Sequence, residues 1–203
     1  KAVEAAGVSV EDIIASPLAA SFQTLSNTQK AAGAVLANVG AQTTSIVVYE
    51  EGLPISVQVL PIGSSDVTND IALGLRLSLD DAEKLKISLG QSNLSTKKKL
   101  DEIIEARLSD MFELIETQLK KIGRNELLPA GIIFTGSGSS LPDIEKLAKN
   151  YLKLPARIAG SDTDPNSKSQ VKDPAWSVAY GLCLFGLGSE PDTAFSTKIF
   201  RQA

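Results

Sequence analysis

An apolar run that ends in a turn of small residues occurs twice in this chain, and the pair limits what it can fold into. Residues 33–36 lead into Ala37-Asn38-Val39-Gly40-Ala41-Gln42-Thr43, and residues 131–134 lead into Thr135-Gly136-Ser137-Gly138-Ser139-Ser140. Both runs read as buried strands, since neither alternates apolar with polar positions. Small residues just after a strand let backbone N–H groups come close to an anion, as in phosphate-binding turns. Two such turns in one chain predict a nucleotide cleft. Neither carries the Gly-Lys-Ser/Thr of a P-loop or the Gly-x-Gly-x-x-Gly spacing of a dinucleotide site.

Composition removes several classes of chemistry. The chain has no histidine, which excludes serine–histidine and cysteine–histidine catalysis and histidine metal ligation. Cys183 is the only cysteine, so no internal disulfide forms; its apolar neighbours predict a small core residue. A net charge of −4 argues against nucleic acid as a partner. Lys97-Lys98-Lys99 reads as a solvated helix start. With 43% apolar residues there is a core to bury, yet no apolar run reaches membrane-spanning length. The first residues, Lys1 to Gly7, read as the end of a helix, so the expectation is a fragment whose upstream portion is absent, with no signal peptide.

Between the turns, β-branched residues 44–49, the turn Glu50-Glu51-Gly52 and the alternation of Ile55, Val57 and Val59 predict a hairpin. A helix is expected from about Asp66 to Arg76. Another starts at the capping-box spacing Ser78-Leu79-Asp80-Asp81 and stops at Gly90. Residues 91–96 read as a polar loop. Leu100, Ile103, Ile104, Leu108, Met111, Phe112, Ile115, Leu119 and Ile122 then make one stripe of a long helix, with Arg107 at a position where the spacing calls for an apolar residue. Ser140-Leu141-Pro142-Asp143 predicts a further capped helix start, residues 156–158 a short strand, and residues 160–172 a polar loop. Asp173-Pro174 opens a last helix, on which Trp176 is expected to be core. The sum is a layered α/β domain.

The order of these pieces resembles the second lobe of the actin-like (ribonuclease H-like) ATPase superfamily. There an Asp-x-Gly-Gly-Gly-Thr turn forms the second phosphate loop, and here the matching stretch is Asn38-Val39-Gly40-Ala41-Gln42-Thr43. The superfamily's adenosine loop, Thr-Gly-Gly-Gly-Ser, matches Thr135-Gly136-Ser137-Gly138-Ser139. Its glutamate and lysine match Glu83 and Lys86, which the three-residue spacing puts on one helical face. Within the superfamily the chain resembles the FtsA family of bacterial cell-division proteins. The stretches that carry the resemblance are residues 60–72, 81–86, 132–142 and 173–182.

That resemblance implies a mixed sheet flanked by helices with a small, mainly helical inserted subdomain. Residues 1–33 would be the trailing piece of a first lobe, residues 34–90 and 131–203 subdomain 2A, and residues 91–130 a reduced subdomain 2B. It implies ATP and Mg²⁺ as ligands. Asn38, Gly40, Ala41, Gln42 and Thr43 would face the phosphates; Glu83, Lys86, Gly136, Ser137, Gly138 and Ser139 would face the adenosine. Arg107, within Ile104-Glu105-Ala106-Arg107-Leu108, would face the C-terminal peptide of FtsZ. It further implies actin-like protofilaments in the full-length protein, and a place at the inner face of the bacterial membrane through an anchor segment not found here. Two departures bear on chemistry. An amide stands at Asn38 where the superfamily has an acid, and Ala41 and Gln42 replace two of the turn's glycines. An amide takes no proton and binds Mg²⁺ more weakly than a carboxylate. The expectation is therefore a nucleotide scaffold with weak or absent hydrolysis. A similar order of parts is found in the PilM family of type IV pilus assembly, the alternative reading; a kinase of the same fold is the least favoured.

Overall fold

A computed structural model describes residues 1–10, 12–88, 94–160 and 173–188. The elements are, in order, α1 (Ala2–Ala5), α2 (Ser16–Thr24), α3 (Asn27–Ala32), β1 (Ala34–Val39), β2 (Thr44–Glu50), β3 (Leu53–Leu60), α4 (Ser64–Leu75), α5 (Leu79–Ile87), α6 (Leu94–Lys121), β4 (Ile132–Thr135), α7 (Ile144–Leu152), β5 (Ala156–Ile158) and α8 (Ser177–Gly186). Short 3₁₀ turns at Ser137–Ser140 and Pro174–Trp176 join them.

The five strands form one mixed sheet of order β3-β2-β1-β4-β5. β1 to β3 make an antiparallel meander, while β1 pairs β4, and β4 pairs β5, in parallel. Both faces of the inner strands are covered, which is why their residues read as unbroken apolar runs. Val35, Ala37, Val39, Ile46, Val48, Ile132 and Phe134 face one cluster with α4, α6 and α7. Ala34, Leu36, Val47, Tyr49 and Ile133 face a second cluster that includes Ala20 of α2 and is covered by Val178 of α8. Across that second face Gly181 lies so close to the Ala19 carbonyl that no Cβ fits between α8 and α2. Ser21 Oγ and the Tyr49 hydroxyl, 2.7 Å apart, satisfy each other inside the same layer.

The long helix follows its stripe. Leu100, Ile104, Leu108, Met111, Phe112, Ile115 and Leu119 are all buried in the cluster that also takes in β1, β2 and β4. Lys97, Lys98 and Lys99 are exposed, as a solvated helix start should be. The helix begins earlier than expected, at Leu94, so residues 94–96 are helical rather than loop. Its N-terminal residues carry no Gly or Pro that would stop it reaching back.

Other expectations are corrected. Ser140 does not cap a helix: its hydroxyl donates to the Ser137 carbonyl, and α7 starts only at Ile144, behind Asp143 at φ 54°. Pro142 forces the residue before it to be extended, and Leu141 is so (ψ 140°), which delays the helix. Trp176 is 63% exposed, and Cys183 is exposed too. α8 buries only the face carrying Ser177 and Gly181, because Gly181 needs contact with α2 and the opposite face is then turned outward. Helix α3 is missed by apolar periodicity, although Ser26 and Gln29 form a reciprocal capping box at its start. The Gly90 stop, the polar stretch 161–172 and the tail 189–203 lie outside the described residues.

The packing predicts unequal costs. Leu108→Ala should lower unfolding stability by about 2–5 kcal/mol in urea titration, whereas Trp176→Ala should change it by less than about 0.5 kcal/mol. Similar costs for the two would contradict this assignment of core and surface.

Candidate functional site

The parallel pairing of β1 with β4 sets Asn38 opposite Thr135, so the two small-residue turns leave the same edge of the sheet side by side. This is the edge at which α/β sheets hold ligands, outside the carboxyl ends of parallel strands. The turns also touch. Gly136 has φ 86°, and a Cβ there would lie 2.5 Å from both Asn38 Oδ1 and the Val39 carbonyl; a Cβ on Gly138 would run into Val39 Cγ1. Glycine at both places is therefore required by the close approach of Asn38 and Val39. Gly136 N–H donates to the Pro174 carbonyl (3.0 Å), Thr135 Oγ1 lies 2.6 Å from Ser177 Oγ, and Ser139 Oγ donates to the Gly136 carbonyl (2.7 Å). The start of α8 thus holds the second turn. Ser137 and Ser140 are the exposed members of this turn, while Thr135, Gly136, Gly138 and Ser139 are buried.

The first turn is fastened from the other side. Gly40 N–H donates to the Thr43 carbonyl (2.9 Å), and the Gly40 and Ala41 carbonyls accept from Ser64 N–H (2.9 Å) and Ser65 N–H (2.8 Å) at the head of α4. Gly63 passes so near the Ala41 carbonyl that a side chain there would collide with it. These bonds consume donors that a free helix N-terminus would offer to an anion. What the turn offers instead is its own backbone. Ala41, Gln42 and Thr43 are exposed, and no described residue accepts from their N–H groups. Such a row of N–H groups suits a phosphate. For a resident metal the fit is poor, because Asn38 supplies an amide. Among the described residues, no group of three or more acidic, histidine or cysteine side chains could hold an ion.

Glu83 and Lys86 meet on α5, as the spacing predicts. Lys86 Nζ donates to Glu83 Oε2 (2.8 Å), Thr68 Oγ1 (2.8 Å) and the Ser64 carbonyl (3.1 Å). Thr68 Oγ1 lies 2.5 Å from Glu83 Oε2. Partial burial works against the Glu83 charge, but hydrogen bonds from Lys86 and Thr68 and the Lys86 charge outweigh it and hold the carboxyl below the ordinary glutamate range. The whole Lys86 side chain is only 10% exposed and its ammonium is fully partnered, so its charge is spent within the protein. Sequence reasoning does not single out Thr68, although it stands in a run that carries the family resemblance.

Arg107 is brought to none of these groups. It makes a two-pronged ion pair with Asp70 of α4, Nε to Oδ2 at 2.6 Å and Nη2 to Oδ1 at 2.9 Å, with Asp110 at 3.2 Å from Nη1. The hydrogen bonds to Asp70 strengthen its hold on its proton. This explains an arginine on an apolar stripe: its partner sits on the helix that the stripe packs against. Its side chain remains 29% exposed, at the rim of the α4–α6 contact.

Known proteins share this architecture. A structure described as the PilM–PilN type IV pilus biogenesis complex is similar over 94% of this chain and 56% of its own, with a TM-score of 0.72 at 23% identity. MreB5 of Spiroplasma citri bound to ADP is similar over 92% of this chain and 63% of its own, with a TM-score of 0.72 at 16% identity. At those identities the likeness shows the fold, which is actin-like. By sequence, cell division protein FtsA of Bacillus subtilis is 32% identical over 206 residues, 91% of this chain and 46% of the relative. That of Pseudomonas aeruginosa is 30% identical over 213 residues, 95% of this chain and 51% of the relative. The chain thus spans about half the length of these relatives. The family profile described as cell division protein FtsA matches residues 35–181, from β1 through both turns into α8, and the chain belongs to the FtsA family.

Proposed function

We propose that this chain is the nucleotide-facing second lobe of an FtsA-type cell-division scaffold, in which ATP binding is a structural cue and hydrolysis is weak or absent. The observation that supports the reading is the pairing of Asn38 with Thr135, which puts the two small-residue turns on one sheet edge. In this reading Gly40, Ala41, Gln42 and Thr43 meet the phosphates through backbone N–H groups. Gly136, Ser137, Gly138 and Ser139 bound the adenosine, and Glu83 takes a sugar hydroxyl. Mg²⁺ would arrive with the phosphates, since Asn38 offers an amide alone. Residues 1–33 would trail from a first lobe that closes the cleft, residues 34–90 and 131–203 would form subdomain 2A, and residues 91–130 a reduced subdomain 2B. The whole protein would form actin-like protofilaments and act at the inner face of the membrane. Among the described residues no helix is long and apolar enough to cross a membrane.

The partner reading centres on Arg107. Recruitment of the acidic FtsZ C-terminal peptide requires a guanidinium that can add a carboxylate to those it already holds, and the exposed rim position allows that. A pilus-assembly role is the second reading, favoured by the similarity to the PilM–PilN structure.

Three outcomes are expected. With one wall of the cleft, the chain alone should bind ATP weakly or not at all in calorimetric titration; sub-micromolar affinity would contradict the two-lobed reading. The FtsZ C-terminal peptide should bind in a pull-down where a PilN N-terminal peptide does not, and the reverse result would favour the pilus role. If Arg107 is the peptide anchor, Arg107→Ala should weaken peptide binding by roughly tenfold or more, while Asp70→Asn should preserve or strengthen it by freeing the guanidinium. Peptide binding indifferent to Arg107 would remove it from the interface.

A further inference from the structure

We infer that Thr68 is a positioning residue for the nucleoside end of this cleft: it fixes the carboxylate of Glu83 for a sugar hydroxyl and couples that carboxylate to the phosphate turn. The inference rests on the nucleotide reading above and goes beyond it, since it concerns a residue that touches no ligand.

The direction of the hydrogen bonds follows from the chemistry of the groups. A lysine ammonium has three protons and accepts nothing, and a threonine hydroxyl has one proton to give. Lys86 Nζ has three acceptors in reach: Glu83 Oε2, Thr68 Oγ1 and the Ser64 carbonyl. Thr68 therefore accepts from Lys86. Its single proton has two acceptors in range, Glu83 Oε2 at 2.5 Å and the Ser64 carbonyl at 3.3 Å. The shorter contact to a charged oxygen takes it. Glu83 Oε2 thus receives both Lys86 and Thr68 and is saturated. Oε1 of the same carboxylate has no donor among the described residues, and the side chain is 45% exposed. One oxygen is clamped and the other is presented, which is what selecting a hydroxyl donor requires.

The clamp is continuous with the phosphate side. Thr68 stands one helical turn after Ser64, whose carbonyl accepts from Lys86 and whose N–H donates to the Gly40 carbonyl. Ser65 N–H donates to the Ala41 carbonyl in parallel. The first turn of α4 therefore holds the phosphate turn with its N–H groups and the sugar-facing pair with Ser64 and Thr68. A shift at one end moves the acceptor geometry at the other.

Thr68→Val keeps the volume and removes the hydroxyl. Without it Lys86 loses one of three acceptors, and Glu83 Oε2 loses one of two donors. In the chain without nucleotide, acetylation of Lys86, followed by peptide mass spectrometry, should speed up several-fold in Thr68→Val relative to the parent, with Lys84 as the exposed internal standard. In the full-length protein that carries this lobe, ATP should bind roughly tenfold more tightly than 2′-deoxy-ATP. Thr68→Val should reduce that preference to within about twofold, and Thr68→Ser should restore both readouts. A change confined to thermal stability, with Lys86 reactivity and the ribose preference intact, would overturn the inference. So would a Thr68→Ser variant that behaves as Thr68→Val. ATP binding with an unaltered sugar preference would overturn the inference alone, and failure of the full-length parent to bind ATP at any concentration would overturn the nucleotide reading along with it.

Discussion

β1 is hydrogen-bonded along both edges, antiparallel to β2 and parallel to β4, and the geometry of the cleft depends on that double pairing. The antiparallel partner lets the chain turn back at once through Gly40–Thr43. The parallel partner arrives only after α4, α5 and α6, since a parallel connection cannot be made by a tight turn. Both turns then leave the sheet in the same direction. The contact between them is close enough that Asn38 and Val39 exclude any side chain at Gly136 and Gly138. The small residues of the second turn thus have a packing cause that operates whether or not a ligand is present, and the ligand reading is added to that cause.

α4 does two jobs at once. Its buried residues Val67, Ile71 and Ala72 anchor it in the core shared with the sheet. Its polar positions reach three neighbours: Ser64 and Ser65 the turn Gly40–Thr43, Thr68 the Glu83–Lys86 pair, and Asp70 Arg107. Because the apolar side fixes the helix, the polar side has little freedom, and the groups it holds are fixed with it. This is preorganisation of the kind a binding site needs, achieved by packing rather than by loops.

Much of this was legible in the residues. The unbroken apolar runs of β1 and β4, the β-branched stretch of β2 and the heptad-like stripe of α6 each carry a local pattern that survives tertiary context, because each is the burial pattern itself. Glu83 and Lys86 meet because three-residue spacing on a helix leaves them no alternative. Trp176 and Cys183 were not legible: an apolar helix of this length can bury either face, and the close crossing at Gly181 chooses the one that leaves them outside. The delayed start of α7 was hidden for a different reason. Ser140 has the right chemistry for a cap, but the backbone forced on Leu141 by Pro142 puts the helix out of its reach.

The sequence by itself determined most of the elements, the layered α/β class and the placing of two turns of small residues behind two buried strands, since those features are set by local sterics and by the period of apolar residues. Tertiary structure decided what each polar group is for. Arg107 is paired with Asp70, thirty-seven positions away, and Lys86 with Thr68, eighteen positions away. No spacing rule reaches across such separations, because only the packing of α4 against α5 and α6 brings those groups within hydrogen-bond distance.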